Sequence, residues 1–312
     1  MSLLLLLTGL ALLATPAALD GVGRRVAPRE WCRTVLACLR TGRFAVHAAL
    51  WIAFAPVALR AAGADELAHA CHEAFMASLP FPTATGWLAG GLLAGSTWRS
   101  ISARRHRRGG LEVLRAESWL GEHRLEDGVD VVTLPCTEPL AYAVPGPPDQ
   151  IAVTEGLASA LDDDEIGAVV RHEQSHLRWR HHQILALGAD IEAQFGWYAP
   201  ARRSVSALRL AVERWADEDA GTGSEQARPA VRRALVKSVA LAIGAVPAFS
   251  DVETIAARLD ALAMAPPQAG VQARLAAIGP SVALAGLVTG SIAACAMVTH
   301  HGIDEILGHC PF

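Results

Sequence analysis

The chain has 312 residues, 52% of them hydrophobic and only 5% aromatic, with a mean hydropathy of +0.29. That balance excludes an ordinary soluble enzyme surface and directs attention to stretches able to cross a bilayer. The formal net charge of −4 offers no basis for nucleic-acid binding, and the sequence shows no internal repeat and no disordered tail.

Four stretches approach the ~20 apolar residues a helix needs to cross ~30 Å of hydrocarbon. The first, residues 1–19, has no charged side chain. A cleaved signal peptide is the alternative reading, and the small residues around Ala14 to Ala18 suit it. The lack of a basic segment ahead of the apolar core, and the arginines behind it, favour an anchor. The second, residues 44–63, keeps Arg60 near its end, where it can snorkel. The third, residues 79–98, is the weakest helix former because of Pro80, Pro82, Gly86, Gly90, Gly91 and Gly95. The fourth is residues 276–298.

The loops predict the orientation. Arg24, Arg25, Arg29, Arg33, Arg40 and Arg43 lie between the first two spans, and Arg99, Arg104, Arg105, Arg107 and Arg108 follow the third. Residues 64–78 and 299–312 contain no Lys or Arg. Positive charge stays inside, so both termini are expected outside the cell and residues 100–275 in the cytoplasm. Binding of anionic lipid is the other use such clusters have. The predicted organisation is three spans within residues 1–99, a cytoplasmic domain over 100–275, a fourth span at 276–298 and a short extracellular tail at 299–312. No cysteine pair has CxxC spacing. Cys71 and Cys310 alone fall on the oxidising side, where a disulfide between them is a hypothesis.

Within the cytoplasmic block, Asp162 to Ile166 reads as a helix start. Asp162 is the N-cap, Glu165 stands three residues on, and Leu161 and Ile166 occupy the positions of a hydrophobic staple. The helix it begins carries His172-Glu173-Gln174-Ser175-His176, an H-E-x-x-H. Residues four apart lie about 40° around and about 6 Å along a helix, so both imidazoles can face one zinc ion. Glu173 is offset to act as general base on a water there.

A third ligand is required. His182 lies ten residues after His172, but its use needs a sharp turn, and Trp179 stands where a glycine would make one. On an unbroken helix His182 is about 9 Å beyond His176, and His181 is about 180° around from His172. Both are read as exposed or interfacial. Downstream, "LRLAVERWADEDA" (Leu208 to Ala220) suggests a second helix with Glu213 and Asp217 on one face. Spacing alone leaves open whether Glu213 is a ligand with Asp217 supporting a histidine, or whether both belong to an ordinary acidic face.

"HEQSH" followed by "ERWAD" resembles the H-E-x-x-H…E-x-x-A-D pattern of gluzincin-like membrane proteases, including the CAAX-prenyl and HtpX types. "AYAVPG" (Ala141 to Gly146) and the stretch Ile151 to Glu173 look like the segment before the zinc helix in BlaR/MecR-type antibiotic-sensor metallopeptidases. The detailed resemblance spans about residues 139–220. It implies His172, His176 and Glu213 as ligands of one Zn²⁺, Glu173 as catalytic base and Asp217 behind a ligand histidine. It also implies Leu140, Ala141, Tyr142, Ala143 and Val144 as an edge strand to which an extended substrate is added. Three spans ahead of His172, and none between His176 and Glu213, fit the BlaR/MecR arrangement better than the HtpX one. The antibiotic sensors continue after their fourth span into a penicillin-binding domain, and no counterpart to it is expected in these 312 residues.

The expected fold is an α+β zincin-like protease domain inserted in a four-helix transmembrane protein, predominantly α-helical overall. The expected function is zinc-dependent hydrolysis of peptide bonds in a cytoplasmic or membrane-proximal protein, a transcriptional repressor being one such substrate. The lipid bilayer is the other expected partner. The alternatives are a non-catalytic zinc-containing sensor or scaffold and an HtpX-like quality-control protease. No residue for stabilising the oxyanion is evident, Tyr142 and Tyr198 being the only tyrosines.

Overall fold

The computed structural model describes residues 2–69, 83–126, 128–245, 252–265 and Gly286. In chain order the elements begin with α1 (Ser2–Ala18), the single turn α2 (Asp20–Gly23), α3 (Pro28–Ala61) and α4 (Thr83–Ser118). A small sheet follows, made of β1 (Glu122–Glu126), β2 (Val129–Leu134), β3 (Ala141–Val144) and β4 (Gln150–Thr154). The rest is helical: α5 (Glu155–Ala158), α6 (Asp163–Arg178), α7 (His181–Phe195), α8 (Ala199–Ala220), α9 (Ala227–Ala245) and α10 (Val252–Ala263). The described residues are thus mostly helical, with one small sheet.

Among the described residues, α3 is long and apolar enough to cross a membrane, and α1 is apolar but shorter. Residues 83–98 of the expected third span lie in α4, which does not stop at Trp98 but continues through the arginine cluster to Ser118, and residues 79–82 lie outside the described residues. The fourth span, the tail, Cys71 and Cys310 lie outside the described residues.

At 34 residues, α3 is about 50 Å long, well beyond the thickness of hydrocarbon. Its surplus length is used for packing. Trp31, Val35, Leu39 and Val46 are buried in one cluster with Leu13 of α1, Ile191 and Phe195 of α7, and Leu208, Val212 and Trp215 of α8. The same apolar core therefore unites the N-terminal helices with the helices that follow the H-E-x-x-H segment. Glycine permits the closest approach: a Cβ on Gly42 would lie 2.9 Å from the Gly9 carbonyl oxygen, so α1 and α3 meet backbone to backbone.

The polar residues that interrupt the apolar run of α7 are explained by their partners. Asp190, 4% exposed, accepts from Arg104 of α4 at 2.7 Å and also pairs with Arg107. Gln194 hydrogen-bonds Ser100 of α4, and Glu192 pairs with Arg209 of α8. Two arginines expected to mark the cytoplasmic face thus also clamp α4 onto α7.

The sheet order is β1-β2-β4-β3, with β2 and β4 parallel and both outer pairs antiparallel. Alternation along the strands serves two layers. Val131, Ile151 and Val153 pack with Val170 and Leu177 of α6. Val132, Ala152 and Val144 pack with Leu111 of α4 on the opposite face. This sandwich holds β3 at an edge of the sheet, beside α6.

Candidate active site

The sequence starts α6 firmly. The Glu165 backbone N–H donates to Asp162 at 2.9 Å, and the Asp162 N–H donates to the Glu165 carboxylate at 3.0 Å, closing the expected capping box. Glu165 is buried and paired with Lys237 of α9 at 2.6 Å. Burial would raise its pKa, but Lys237 and the Asp162 N–H outweigh it and hold the carboxyl below its usual range.

One face of α6 packs under the sheet. Another carries His172 and His176, whose Nε2 atoms lie 3.2 Å apart. Glu213 approaches from α8, with its carboxylate oxygens 3.5 Å from His172 Nε2 and 3.7 Å from His176 Nε2. One donor atom from each residue falls within 4.8 Å of the others. Donors held about 2.0–2.1 Å from a tetrahedral zinc ion lie about 3.4 Å apart, so these separations fit a single ion.

One turn beyond Glu213, the buried Asp217 accepts from His172 Nδ1 at 3.0 Å, which leaves His172 Nε2 free to present its lone pair. Burial disfavours a charged His172, but Asp217 and Glu213 outweigh it and raise the pKa to about 10. His176 is lowered by burial to about 4 and is a neutral imidazole. Burial would raise Glu213, yet the His172 hydrogen bond and Arg258 hold it well below the carboxylate range. Glu173 is pushed up by burial to about 7, with His172 and the backbone N–H of Ala143 opposing the rise.

Arg258 of α10 was missed in the sequence. It donates from Nε and Nη2 to the two Asp217 oxygens at 2.8 and 2.7 Å, and its Nη1 lies 3.1 Å from Glu213. It stands 41 residues beyond Asp217 in a helix without a motif, and its only signal is an arginine in an otherwise mostly apolar stretch. Glu213 and Asp217, both held ionised, outnumber this one guanidinium by one negative charge. Once His172 gives up its extra proton, that surplus favours a cation between the imidazoles.

His181 requires a correction. It is buried, neither exposed nor interfacial, because the helix is not continuous. α6 ends at Arg178 with Trp179 as its C-cap, Arg180 adopts a left-handed conformation with φ 52° and ψ 44°, and α7 begins at His181. The turn brings His181 Nδ1 to 3.2 Å from His176 Nδ1 and sets its ring 4.8 Å from that of Trp215. Trp179 anchors the turn by donating to Asp219 at 3.1 Å, under the Arg29 guanidinium at 4.2 Å. His182 is exposed, as expected.

The stretch Leu140 to Val144 lies at the sheet edge. Leu140 precedes the strand proper and exchanges bonds with Thr154, accepting from its N–H at 3.0 Å. Alternation then turns Tyr142 and Val144 toward β4, and the backbone groups of Ala141 and Ala143 toward the open edge. The Tyr142 hydroxyl faces Glu117 at 3.5 Å, and Tyr198 packs against the helical core. Neither tyrosine ring is directed at the histidines.

A helix bearing H-E-x-x-H, a glutamate from the next long helix but one, and an edge strand beside them form the arrangement of a zincin-type metallopeptidase. A family model described as peptidase family M48 matches residues 125–222, about a third of the chain, and supports a metallopeptidase of the M48 kind. The match ends two residues beyond α8, so it contains both histidines, Glu173, Glu213 and Asp217 but not Arg258. No curated protein and no solved structure matches the chain significantly.

Proposed function

We propose that the protein is an integral-membrane zinc endopeptidase that cleaves a cytoplasmic or membrane-proximal protein. The observation that carries this reading is the convergence of His172, His176 and Glu213 within 4.8 Å, beside the half-buried Glu173. One zinc ion would be held by these three residues; when bound it supplies Lewis acidity to a water and to the scissile carbonyl. Glu173, with its pKa near neutrality, takes the proton from the attacking water and passes it to the leaving amine. Asp217 fixes the tautomer of His172. The outward carbonyls of Ala141 and Ala143 hold an extended substrate backbone by strand addition. Beyond the end of β3 a cleft of about 380 Å³, lined by Arg115, Pro145, Leu177, Arg180 and His182, offers room for substrate side chains.

The purified protein is expected to bind one equivalent of zinc and cleave unstructured protein substrates. It should lose cleavage on treatment with a chelator and regain it on zinc addition. Stoichiometric zinc with no cleavage of any substrate would instead favour the sensor or scaffold.

The membrane assignment rests on the apolar α3 and on large apolar side chains left facing outward along the three N-terminal helices, among them Leu3, Leu7, Phe44, Trp51, Trp87 and Leu92. With the arginine-rich ends of α3 and α4 on the cytoplasmic side, the site faces the cytoplasm. A reporter fused after residue 263 should read as cytoplasmic; a periplasmic signal would reverse the orientation. α7 has only 15 residues and carries Asp190, Glu192 and Gln194, which argues against a span between His176 and Glu213 and supports a BlaR/MecR-type layout over an HtpX-like one, with a regulatory substrate such as a repressor.

A further inference from the structure

His181 is a buried polar side chain beside the site to which the chemistry above gives no task. Its Nδ1 lies 3.2 Å from His176 Nδ1, its Nε2 has no hydrogen-bond partner among the described residues, and its ring rests against Trp215. The fold places it there through a left-handed residue that is not glycine, Arg180, and through the anchoring of Trp179.

Between two Nδ1 atoms at this distance there is room for one hydrogen. If His176 offers its Nε2 lone pair to a metal, its own hydrogen must be on Nδ1, and His181 must be the acceptor. The remaining hydrogen of His181 then lies on Nε2, the atom without a partner. The opposite assignment would put a hydrogen on His176 Nε2 and close that atom to a metal. We propose that His181 is a positioning residue whose Nδ1 accepts the His176 Nδ1–H and locks the tautomer and ring direction of His176. This inference rests on the zinc site proposed above. The two histidines are thereby oriented by unlike partners, His172 by the carboxylate of Asp217 and His176 by a neutral imidazole.

The test compares His181→Leu, which removes the acceptor, with His181→Asn, whose side-chain oxygen restores one close to the lost Nδ1. Zinc affinity of the full chain is measured by competition with a chromophoric chelator. The Leu variant is expected to bind about 10–100-fold more weakly, with the Asn variant close to the parent. Unchanged affinity in the Leu variant, or equal loss in both, overturns the proposal. Should the Leu variant not fold, histidine-selective ¹⁵N NMR of the zinc-loaded parent protein reads the proton directly. A protonated His176 Nδ1 opposite a bare His181 Nδ1 supports the proposal, and the reverse overturns it. Unchanged zinc affinity in Glu213→Ala, or no zinc binding by the parent protein, overturns the zinc site itself, a failure distinct from that of His181.

Discussion

Glu173→Gln is expected to retain zinc and to lose proteolysis, with kcat reduced by about 10²–10⁴-fold or more. The substitution preserves the size of the side chain and an oxygen that can accept from the Ala143 N–H, so α6 and β3 keep their spacing. It leaves His172, His176 and Glu213 unchanged, and with them the donor set for the ion. What it removes is the carboxylate that burial has tuned to about 7, the group able both to take a proton and to return it near neutral pH. The measurement is twofold: zinc content of the purified variant, and comparison of cellular proteomes carrying the parent or the variant for fragments ending at a defined bond. Undiminished fragments in the variant would remove Glu173 as the proton carrier. Lost zinc would show that the carboxylate also serves the ion.

Asp217→Leu is expected to be the most damaging single change to stability near the site. Asp217 is 2% exposed and accepts two hydrogen bonds from Arg258 as well as one from His172. Leucine of similar size leaves the guanidinium buried without its bidentate partner, and removing one member of such a pair costs about 3–5 kcal/mol. For a domain of this size that corresponds to a fall of roughly 6–20 °C in Tm, measured in excess chelator so that metal binding does not contribute. Replacing both charges, as Asp217→Leu with Arg258→Met, should recover much of that loss, since the pair is then exchanged for apolar packing. Zinc affinity should not recover, because His172 Nδ1 still lacks its acceptor, and should stay about 10–100-fold weaker. Equal Tm in the single and double variants would show that the Arg258–Asp217 pair does not carry the effect.

These two residues also show what kind of information the sequence holds. The start of α6, its capping box and the common face of His172 and His176 follow from residues within one or two turns of each other, where helix geometry alone sets the spacing. The edge position of β3 and the contribution of Glu213 were legible through their resemblance to known proteases, not through spacing, because each depends on a partner distant in the chain. The apolar composition likewise announced the N-terminal helices, but not that half of α3 lies in the same core as α7 and α8.

Only the tertiary structure decided the rest. A single left-handed residue at Arg180 breaks the helix and moves His181 from the far side of an imagined continuous helix to the Nδ1 side of His176. No composition rule predicts that conformation at an arginine; it is held by Trp179, Trp215 and Arg29, which come from three separate parts of the chain. Arg258 reaches Asp217 and Glu213 only because α10 packs against α8, and Arg104 and Arg107 find Asp190 only because α4 crosses α7. Local periodicity specifies which face a side chain occupies. Which charge meets it there is settled by the burial of several helices at once, where an unpaired ion would be too costly to keep.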